Sequence, residues 1–347
     1  MLGSWAWIVS AWRDGFRRVL AAPAVLAGVF VVTFAAALPL AVTLRGAIEA
    51  HLGRSLVADA AADAVDDDWW QEFSSSATGA GTLGTLSTTF SPSIIGFAAT
   101  LDNISSVVEA QREIVPVAAA LAAYLLVWTF LSGGIVDRYA RQRPTRAHGF
   151  FAVSGVFFWR FLRLALVAGT AYGFLFAYVH AWLFDDLYDW LTRDLAVERV
   201  AFFWRVALYA VFGAALVAVN IASDYARIRM VVEDRRSAIG ALSAAAGFLG
   251  RHPGRAFGLY ALNGLVFLFL LAVWAFAAPG AGGPGLSMWL GFAGTQLYLL
   301  ARLLLKLQFM ASQTALFQRS LAHAAYTATP APIWPDSPAA EAIAGGP

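Results

Sequence analysis

Apolar residues occur along this chain in long blocks and not in the short alternating pattern that is typical of strands. A bilayer core about 30 Å thick requires about 20 consecutive apolar residues per helix. The sequence contains six such blocks, near 21–44, 114–136, 161–184, 200–223, 256–278 and 286–310. The pattern therefore predicts an all-α fold, a polytopic transmembrane helix bundle with six spans.

Charged residues between the blocks predict the orientation of the bundle. The connections 137–163 and 224–255 carry six arginines each, whereas 185–199 carries two arginines among five acids and 278–285 carries no charge. Because cytoplasmic loops of membrane proteins are enriched in Lys and Arg, the two arginine-rich connections are predicted to face the cytoplasm. Both termini then lie in the cytoplasm. The heavy use of Arg over Lys fits a GC-rich bacterial genome, so a bacterial plasma (inner) membrane is the predicted location.

Three polar segments flank or interrupt the blocks. Residues 1–20 combine Trp and Phe with Arg, which predicts a cytoplasmic interfacial helix. The acidic segment 45–113 is predicted to be one long outer loop, in which Asp59, Asp63 and Asp67 either hold a cation or form a solvated helix face. Residues 311–347 are predicted to form a cytoplasmic tail that begins as a helix and is disordered at its Pro-rich end.

A short repeat follows the second and fourth blocks, at the predicted cytoplasmic exits. Its members are Tyr139, Arg141 and Arg143 in the first copy and Tyr225, Arg227 and Arg229 in the second. Apolar-basic segments, 150–163 and 239–255, lead from each copy into the next block. The repeat predicts a unit of interfacial helix, span, outer loop and span that occurs three times. The alternative is that Tyr and Arg independently anchor helix ends at the interface.

Polar side chains within the blocks are the candidate functional residues, because ionisable groups in hydrocarbon are costly and are often functional. His180, Arg205, Asn220, Asn263 and Gln296 predict either a polar cavity or separate packing and ion-pair contacts. Arg302 and Lys306 lie one turn apart on the last block, which predicts contact with an anionic lipid headgroup or snorkelling to the interface. Gly169 and Gly173 predict a close helix approach.

Composition supports a membrane protein and excludes several chemistries. The chain is 60% apolar and 13% charged, with a mean hydropathy of +0.66 and no cysteine. The arginines are dispersed, so no nucleic-acid partner is predicted. No catalytic motif and no cofactor or metal site is recognised in the sequence. The G-x-G-x-x-G spacing occurs twice, but both copies lie in predicted outer loops without the βαβ unit that a dinucleotide site requires.

The segment 224–236, Asp-Tyr-Ala-Arg-Ile-Arg-Met-Val-Val-Glu-Asp-Arg-Arg, and the later Arg251-His-Pro-Gly-Arg255 resemble segments of uncharacterised bacterial multi-span membrane proteins. The chain is also distantly similar to the membrane regions fused to some glycerophosphodiester phosphodiesterases, without their catalytic domain. The resemblance implies a bundle of about six helices and no known activity. Together these features predict a non-enzymatic membrane protein that contacts lipids or an unidentified protein partner. A small-molecule permease and an intramembrane enzyme remain the alternatives.

Overall fold

The computed structural model describes residues 2–53, 58, 68, 69, 115–195, 197–277 and 285–323. Every regular element in these ranges is a helix: α1 (Leu2–Leu20), α2 (Pro23–Leu52), α3 (Val115–Arg141), α4 (Ala147–Thr192), α5 (Glu198–Val232), α6 (Ala238–Arg251), α7 (Pro253–Ala277) and α8 (Leu286–His323). The all-α prediction is thus confirmed for the described residues. Most of the predicted outer loop, with its three aspartates at 59, 63 and 67, and the end of the predicted tail lie outside them.

Several of these helices are long and apolar enough to cross a membrane. Helices α4, α5, α7 and α8 meet this criterion, and the number rises to five if α1 and the first part of α2 are counted as one broken span. Helix α3 covers the second predicted span but does not meet the criterion over its described residues. A helical fold with four or five potential spans is what the structure supports.

Two helices begin at proline, directly after the point where the preceding helix ends. Pro23 is the first residue of α2 and Pro253 is the first residue of α7. Proline is well suited to this position because its fixed φ is helical and its missing N–H would have no partner there. It also disfavours helical geometry in the preceding residue, and His252 is accordingly non-helical. The predicted entry segments before these spans are therefore separate helices, α1 and α6.

The entry segment 150–163 differs, because it is not a separate interfacial helix. Residues 147–192 form one continuous helix, α4. No proline lies between residues 147 and 192 to interrupt the backbone hydrogen bonds. Helix α4 also contains two π-helical stretches, Leu175–His180 and Trp182–Leu187. The three predicted units thus have the same order of segments, but only two of them have a helix end between the entry segment and the span.

The last predicted span and the helical start of the predicted tail at residue 311 belong to one helix. Helix α8 continues without interruption to His323. Ala311, Ala315, Leu316 and Phe317 are fully buried, as are the polar residues between them. Tertiary packing is the main source of helix stability in proteins, and these buried side chains supply it here. The first part of the predicted tail therefore belongs to the core.

The described residues group into two compact units, and the first comprises 1–22, 128–262 and 308–347. Its core contains a large apolar cluster with Ile8, Phe161, Ile221, Leu259 and Phe317 among its members. The helix end that follows a predicted span, here called an exit segment, packs in each case against a helix that leads into a span, here called an entry segment. The exit of α3 packs on the start of α4, the exit of α5 packs on α6, and the end of α8 packs on α1.

Glycine permits two of these close contacts. A Cβ on Gly15 of α1 would lie 2.6 Å from the backbone of Ser312 in α8, and a Cβ on Gly134 of α3 would lie 2.5 Å from Oγ of Ser154 in α4. Both distances are too short for real atoms. At the exit of α5, the rings of Tyr225 and Phe248 are 5.0 Å apart. The three entry–exit contacts are therefore made by different side chains.

The second unit comprises 23–127 and 263–307. Within it, Trp274 of α7 stacks on Tyr298 of α8 with ring centroids 4.4 Å apart. Many of its large apolar side chains are exposed among the described residues; Phe276, for example, is 93% exposed. Such a surface is unsuited to water and suited to hydrocarbon.

Candidate functional site

A polar cluster lies in the first unit, where α5 meets α7 and α8. Asn220 and Asp224 are one turn apart on α5. The Asn220 amide nitrogen donates to the Tyr260 hydroxyl at 2.6 Å. The Asp224 carboxylate accepts from Gln313 at 3.3 Å and from Arg227 at 3.1 Å. This cluster joins three helices through side-chain hydrogen bonds, as polar residues do in membrane bundles.

The charges of this cluster are nearly balanced. Asp224 and Arg227 form an ion pair in which the carboxylate side chain is 16% exposed and the guanidinium side chain 31% exposed. Gln313 is only 1% exposed, so its contact with Asp224 is shielded from solvent. Tyr172 of α4 lies within electrostatic range of Asp224. The contacts of Asn220 and Asp224 described here are all made within the protein.

The predicted polar cavity is not assembled as one site in either unit. In the first unit His180 packs on the rings of Phe184 and Phe212, at centroid distances of 4.6 and 5.3 Å. The Arg205 guanidinium lies 4.6 Å from the centre of the Tyr188 ring, and no ion pair to an acid is found for it among the described residues. Asn220 belongs instead to the polar cluster.

The other two members of the predicted cavity belong to the second unit. Asn263 is 1% exposed. Gln296 is half-buried, and its side-chain oxygen has no hydrogen-bond partner among the described residues. Gly169 and Gly173, which predicted a close helix approach, have no atom within 4 Å of an added Cβ. That expectation is therefore wrong for the described part of the chain.

Arg302 and Lys306 are exposed on α8 in the second unit. The Arg302 guanidinium lies 5.6 Å from the centre of the Tyr298 ring and 6.0 Å from that of Phe267. The Lys306 ammonium lies 5.6 Å from the centre of the Tyr124 ring. Aromatic faces attract cations at these distances, and the exposure of both side chains leaves them accessible to an anion.

The tyrosines of the predicted repeat occupy equivalent environments. Tyr139 is 1% exposed and Tyr225 is fully buried, and neither hydroxyl has a hydrogen-bond partner among the described residues. Burial raises the pKa of the Tyr139 hydroxyl, although the nearby Arg138 opposes the shift. Both tyrosines are therefore core residues and not surface anchors.

The arginines of the repeat differ between the copies. Arg141 donates to Asp137 at 2.5 Å, and Arg143 is exposed after the end of α3. In the second copy Arg227 pairs with Asp224, whereas Arg229 is buried and binds the Glu233 carboxylate at 2.8 Å. The difference arises because α3 ends at Arg141, while α5 continues past its arginines to Val232.

Sequence reasoning missed a third position of this kind at the end of α8. Phe317 is fully buried, its ring lies 5.2 Å from that of Phe248, and the residue two positions later is Arg319. An aromatic residue followed two positions later by arginine is thus found at all three exits. The match was concealed because Phe stands in place of Tyr. A search for any aromatic residue followed two positions later by Arg would have revealed it.

Two carboxyl groups near the exits have shifted pKa values. Burial raises the pKa of Asp137, and its ion pair with Arg141 only partly opposes this. Burial would also raise the pKa of Glu233, but hydrogen bonds from Arg229 and Arg235 outweigh it and hold the pKa below its ordinary value. Glu233 is therefore ionised at neutral pH and completes an arginine–carboxylate network.

A second candidate site is a pocket of about 340 Å³ beside α1. Its lining carries three arginines and one acid and consists of Ala6, Val9, Ser10, Arg13, Asp14, Arg17 and Arg319. The basic character of residues 1–20 was predictable from the sequence, but the presence of Arg319, about 300 positions away, in the same pocket was not. No periodicity within one helix can reveal such a contact.

Comparison with protein-family models, with curated proteins and with solved structures finds no significant match to this chain. Within the described residues, no group of three His, Asp or Glu side chains is arranged to hold a metal ion. The class of the protein thus follows from its own features: an all-helical chain with several helices of membrane-spanning length and arginine-rich helix ends.

Proposed function

We propose that this chain is a non-enzymatic integral protein of a bacterial plasma membrane, with six spans and both termini in the cytoplasm, and that it has a lipid-interacting or accessory role. The arginine-rich connections and the resemblance to multi-span bacterial membrane proteins support this orientation and class. The exposed apolar side chains of α4, α5, α7 and α8 support a lipid environment, because surfaces of this kind aggregate in water.

The observation that carries the lipid-interacting role is the position of Arg302 and Lys306. Both are exposed on an apolar helix of spanning length, and both lie beside aromatic rings. A cation on a lipid-facing helix is costly unless its long side chain reaches a polar group at the interface. An anionic phospholipid headgroup provides such a group.

Native mass spectrometry of the full-length protein in mild detergent tests this role. The protein is expected to retain anionic phospholipid, and the double variant Arg302→Ala/Lys306→Ala is expected to bind it at this contact about 30-fold more weakly, since each cation near a headgroup contributes about 1 kcal/mol. Arg143→Ala, at an exposed position after α3, serves as the control and should retain lipid like the unmodified chain. Absence of bound lipid from the unmodified protein would refute the proposal.

The polar cluster around Asp224 favours a permease as the second candidate function. Transporters place substrate sites at polar groups between helices of repeated units, and the cluster joins α5, α7 and α8. Asp224→Asn keeps the shape of the side chain and removes its charge. If the protein transports a polar solute, this variant should abolish uptake into proteoliposomes without changing lipid retention.

A further inference from the structure

One face of α1 combines exposed apolar and basic residues at four-residue spacing. Trp5, Val9, Arg13 and Arg17 follow one another along this face. Trp5 is 59% exposed and Val9 is 37% exposed, and both arginines are also exposed. Residues four apart lie on the same side of a helix. The face therefore presents an apolar part at its N-terminal end and a basic part at its C-terminal end.

The opposite side of α1 is fixed to the core by a buried arginine. The Arg18 guanidinium donates to the Tyr139 carbonyl oxygen at 2.9 Å and to the Gln318 side-chain oxygen at 2.7 Å. The absence of a Cβ on Gly15 allows α8 to approach closely. These contacts hold α1 in one orientation, so its exposed face does not have to be ordered when a ligand binds.

Asp14, the acidic residue in the pocket beside this face, already forms ion pairs with two arginines. Asp14 accepts from Arg18 at 3.0 Å and lies 3.4 Å from Arg319. Arg319 also donates to the Ser10 hydroxyl at 2.6 Å. By contrast, no ion pair or hydrogen bond is found for the side chains of Arg13 and Arg17 among the described residues. Three arginines and one aspartate give the lining a formal charge of +2.

We propose that Arg13, Arg17 and Arg319 form a binding site for the phosphate of an anionic phospholipid headgroup, with Trp5 and Val9 in contact with the adjoining acyl region. Guanidinium groups bind phosphate through paired hydrogen bonds. The site would thus take a ligand with a phosphate next to an apolar chain. This inference rests on the proposed lipid-interacting function and adds a specific site to it.

The exposed apolar residues distinguish a lipid from other anions. Trp is favoured at membrane interfaces because its ring is amphipathic, and an interfacial helix carries basic and apolar residues on adjoining surfaces. A site for a soluble phosphate would gain nothing from exposing Trp5. The aliphatic stems of Arg13 and Arg17 can lie along the apolar boundary while their charges reach the phosphate.

The test uses the full-length protein in detergent with Arg302→Ala and Lys306→Ala already introduced, so that binding at the other proposed lipid contact does not mask the result. Native mass spectrometry would measure the binding of dioctanoyl phosphatidylglycerol and, for comparison, dioctanoyl phosphatidylcholine. Adding Arg13→Gln and Arg17→Gln is expected to weaken phosphatidylglycerol binding by about 10- to 30-fold, because each cation contributes about a factor of five at a headgroup. Phosphatidylcholine binding should change little.

Arg143→Gln with Arg146→Gln is the matched control, because it removes two exposed charges from the connection between α3 and α4. It should leave phosphatidylglycerol binding unchanged, and the thermal unfolding temperature of each variant checks that it folds. Equal binding by the Arg13/Arg17 variant and the control would overturn the site but leave the proposed function standing. Complete displacement of the lipid by inorganic phosphate at an equal concentration would instead indicate a soluble-anion site and would also overturn it. If the unmodified chain retained no lipid at all, the proposed function would fail first.

Discussion

The two halves of α5 differ in how deeply the same helix is buried. In the first half, residues 198–215, only Leu208 and Phe212 are buried. The second half, residues 216–232, buries eight residues: Ile221, Ser223, Tyr225, Ala226, Ile228, Arg229, Met230 and Val231. The first half instead exposes large apolar side chains, among them Phe202 and Phe203, each 60% exposed.

The large apolar side chains of the first half are therefore exposed, which is the reverse of their arrangement in a water-soluble protein. Each half carries three charged residues: Glu198, Arg199 and Arg205 in the first, and Asp224, Arg227 and Arg229 in the second. The second half is nevertheless the more buried, and its Arg229 is buried with its apolar neighbours. Soluble proteins bury their apolar residues and expose their charges, whereas a helix in a bilayer can expose apolar residues to lipid and must satisfy its polar groups within the protein. The difference between the halves is what the proposed membrane location predicts, with a lipid-facing segment joined to a protein-packed one.

A large effect is expected from filling the space at Gly15 in the packed region. Gly15→Val should destabilise the protein by about 3 kcal/mol, because its Cβ would overlap the backbone of Ser312. A lower thermal unfolding temperature in detergent would measure this. Gly247→Ala, on α6 where nothing lies within 4 Å of the new Cβ, is the control and should be neutral or slightly stabilising. Equal behaviour of the two variants would refute the described packing of α1 on α8.

Removal of the Asp224 carboxylate should have the next largest effect. Asp224→Ala leaves Arg227 and Gln313 without this acceptor, and loss of one partner from a partly buried pair costs about 2 kcal/mol. Chemical or thermal unfolding in detergent would measure the loss. Asp194→Ala, in the exposed connection between α4 and α5, provides the comparison and should change stability by less than about 0.5 kcal/mol.

The pH dependence of stability should show a smaller effect from Glu233. Its pKa is lower in the folded protein than the reference value of 4.5, so its stabilising contribution is complete above that value. The contribution is lost as the pH falls through the lower, folded pKa. Thermal unfolding between pH 7 and pH 3 should therefore show an acid-induced loss of stability that is absent from Glu233→Gln. Asp137 has a raised pKa and contributes in the opposite direction, so an Asp137→Asn background isolates Glu233.

The smallest expected effect is at the exposed half of α5. Phe202→Ala removes a ring that contacts solvent or detergent, so it should change stability by less than about 1 kcal/mol. Phe161→Ala, in the core where the ring is 1% exposed, should cost about 3–5 kcal/mol. A similar loss for both variants would show that the two regions do not differ in packing as described.

The positions of the helices were predictable from hydropathy alone, because each predicted span lies mostly within a helix of the described structure. Breaks were predictable only where proline marks them, at Pro23 and Pro253. The continuous α4 and the long α8 escaped prediction because no local signal distinguishes an interfacial segment from the continuation of a helix. The final residues of α8 looked like a tail because their polar side chains conceal how deeply they are buried.

The candidate site was less predictable than the helices. Asn220 was recognised as a candidate, but its neighbour in the cluster, Asp224, lies in what was predicted to be the start of a connection. The pocket beside α1 brings Arg13 and Arg319 together from opposite ends of the chain. Hydropathy reports how much of a helix is apolar, but it does not report which helices become neighbours. Only the tertiary packing supplies that information.

The proposed crossing of the membrane by α5 can be tested directly by labelling single cysteines, because the natural chain contains none. Asp194→Cys precedes α5 and Arg236→Cys follows it. A membrane-impermeant maleimide applied to intact cells or spheroplasts should label Asp194→Cys, whereas Arg236→Cys should react only after the membrane is permeabilised. Labelling of both cysteines from the same side would contradict a membrane-spanning α5, and with it the proposed arrangement of the chain.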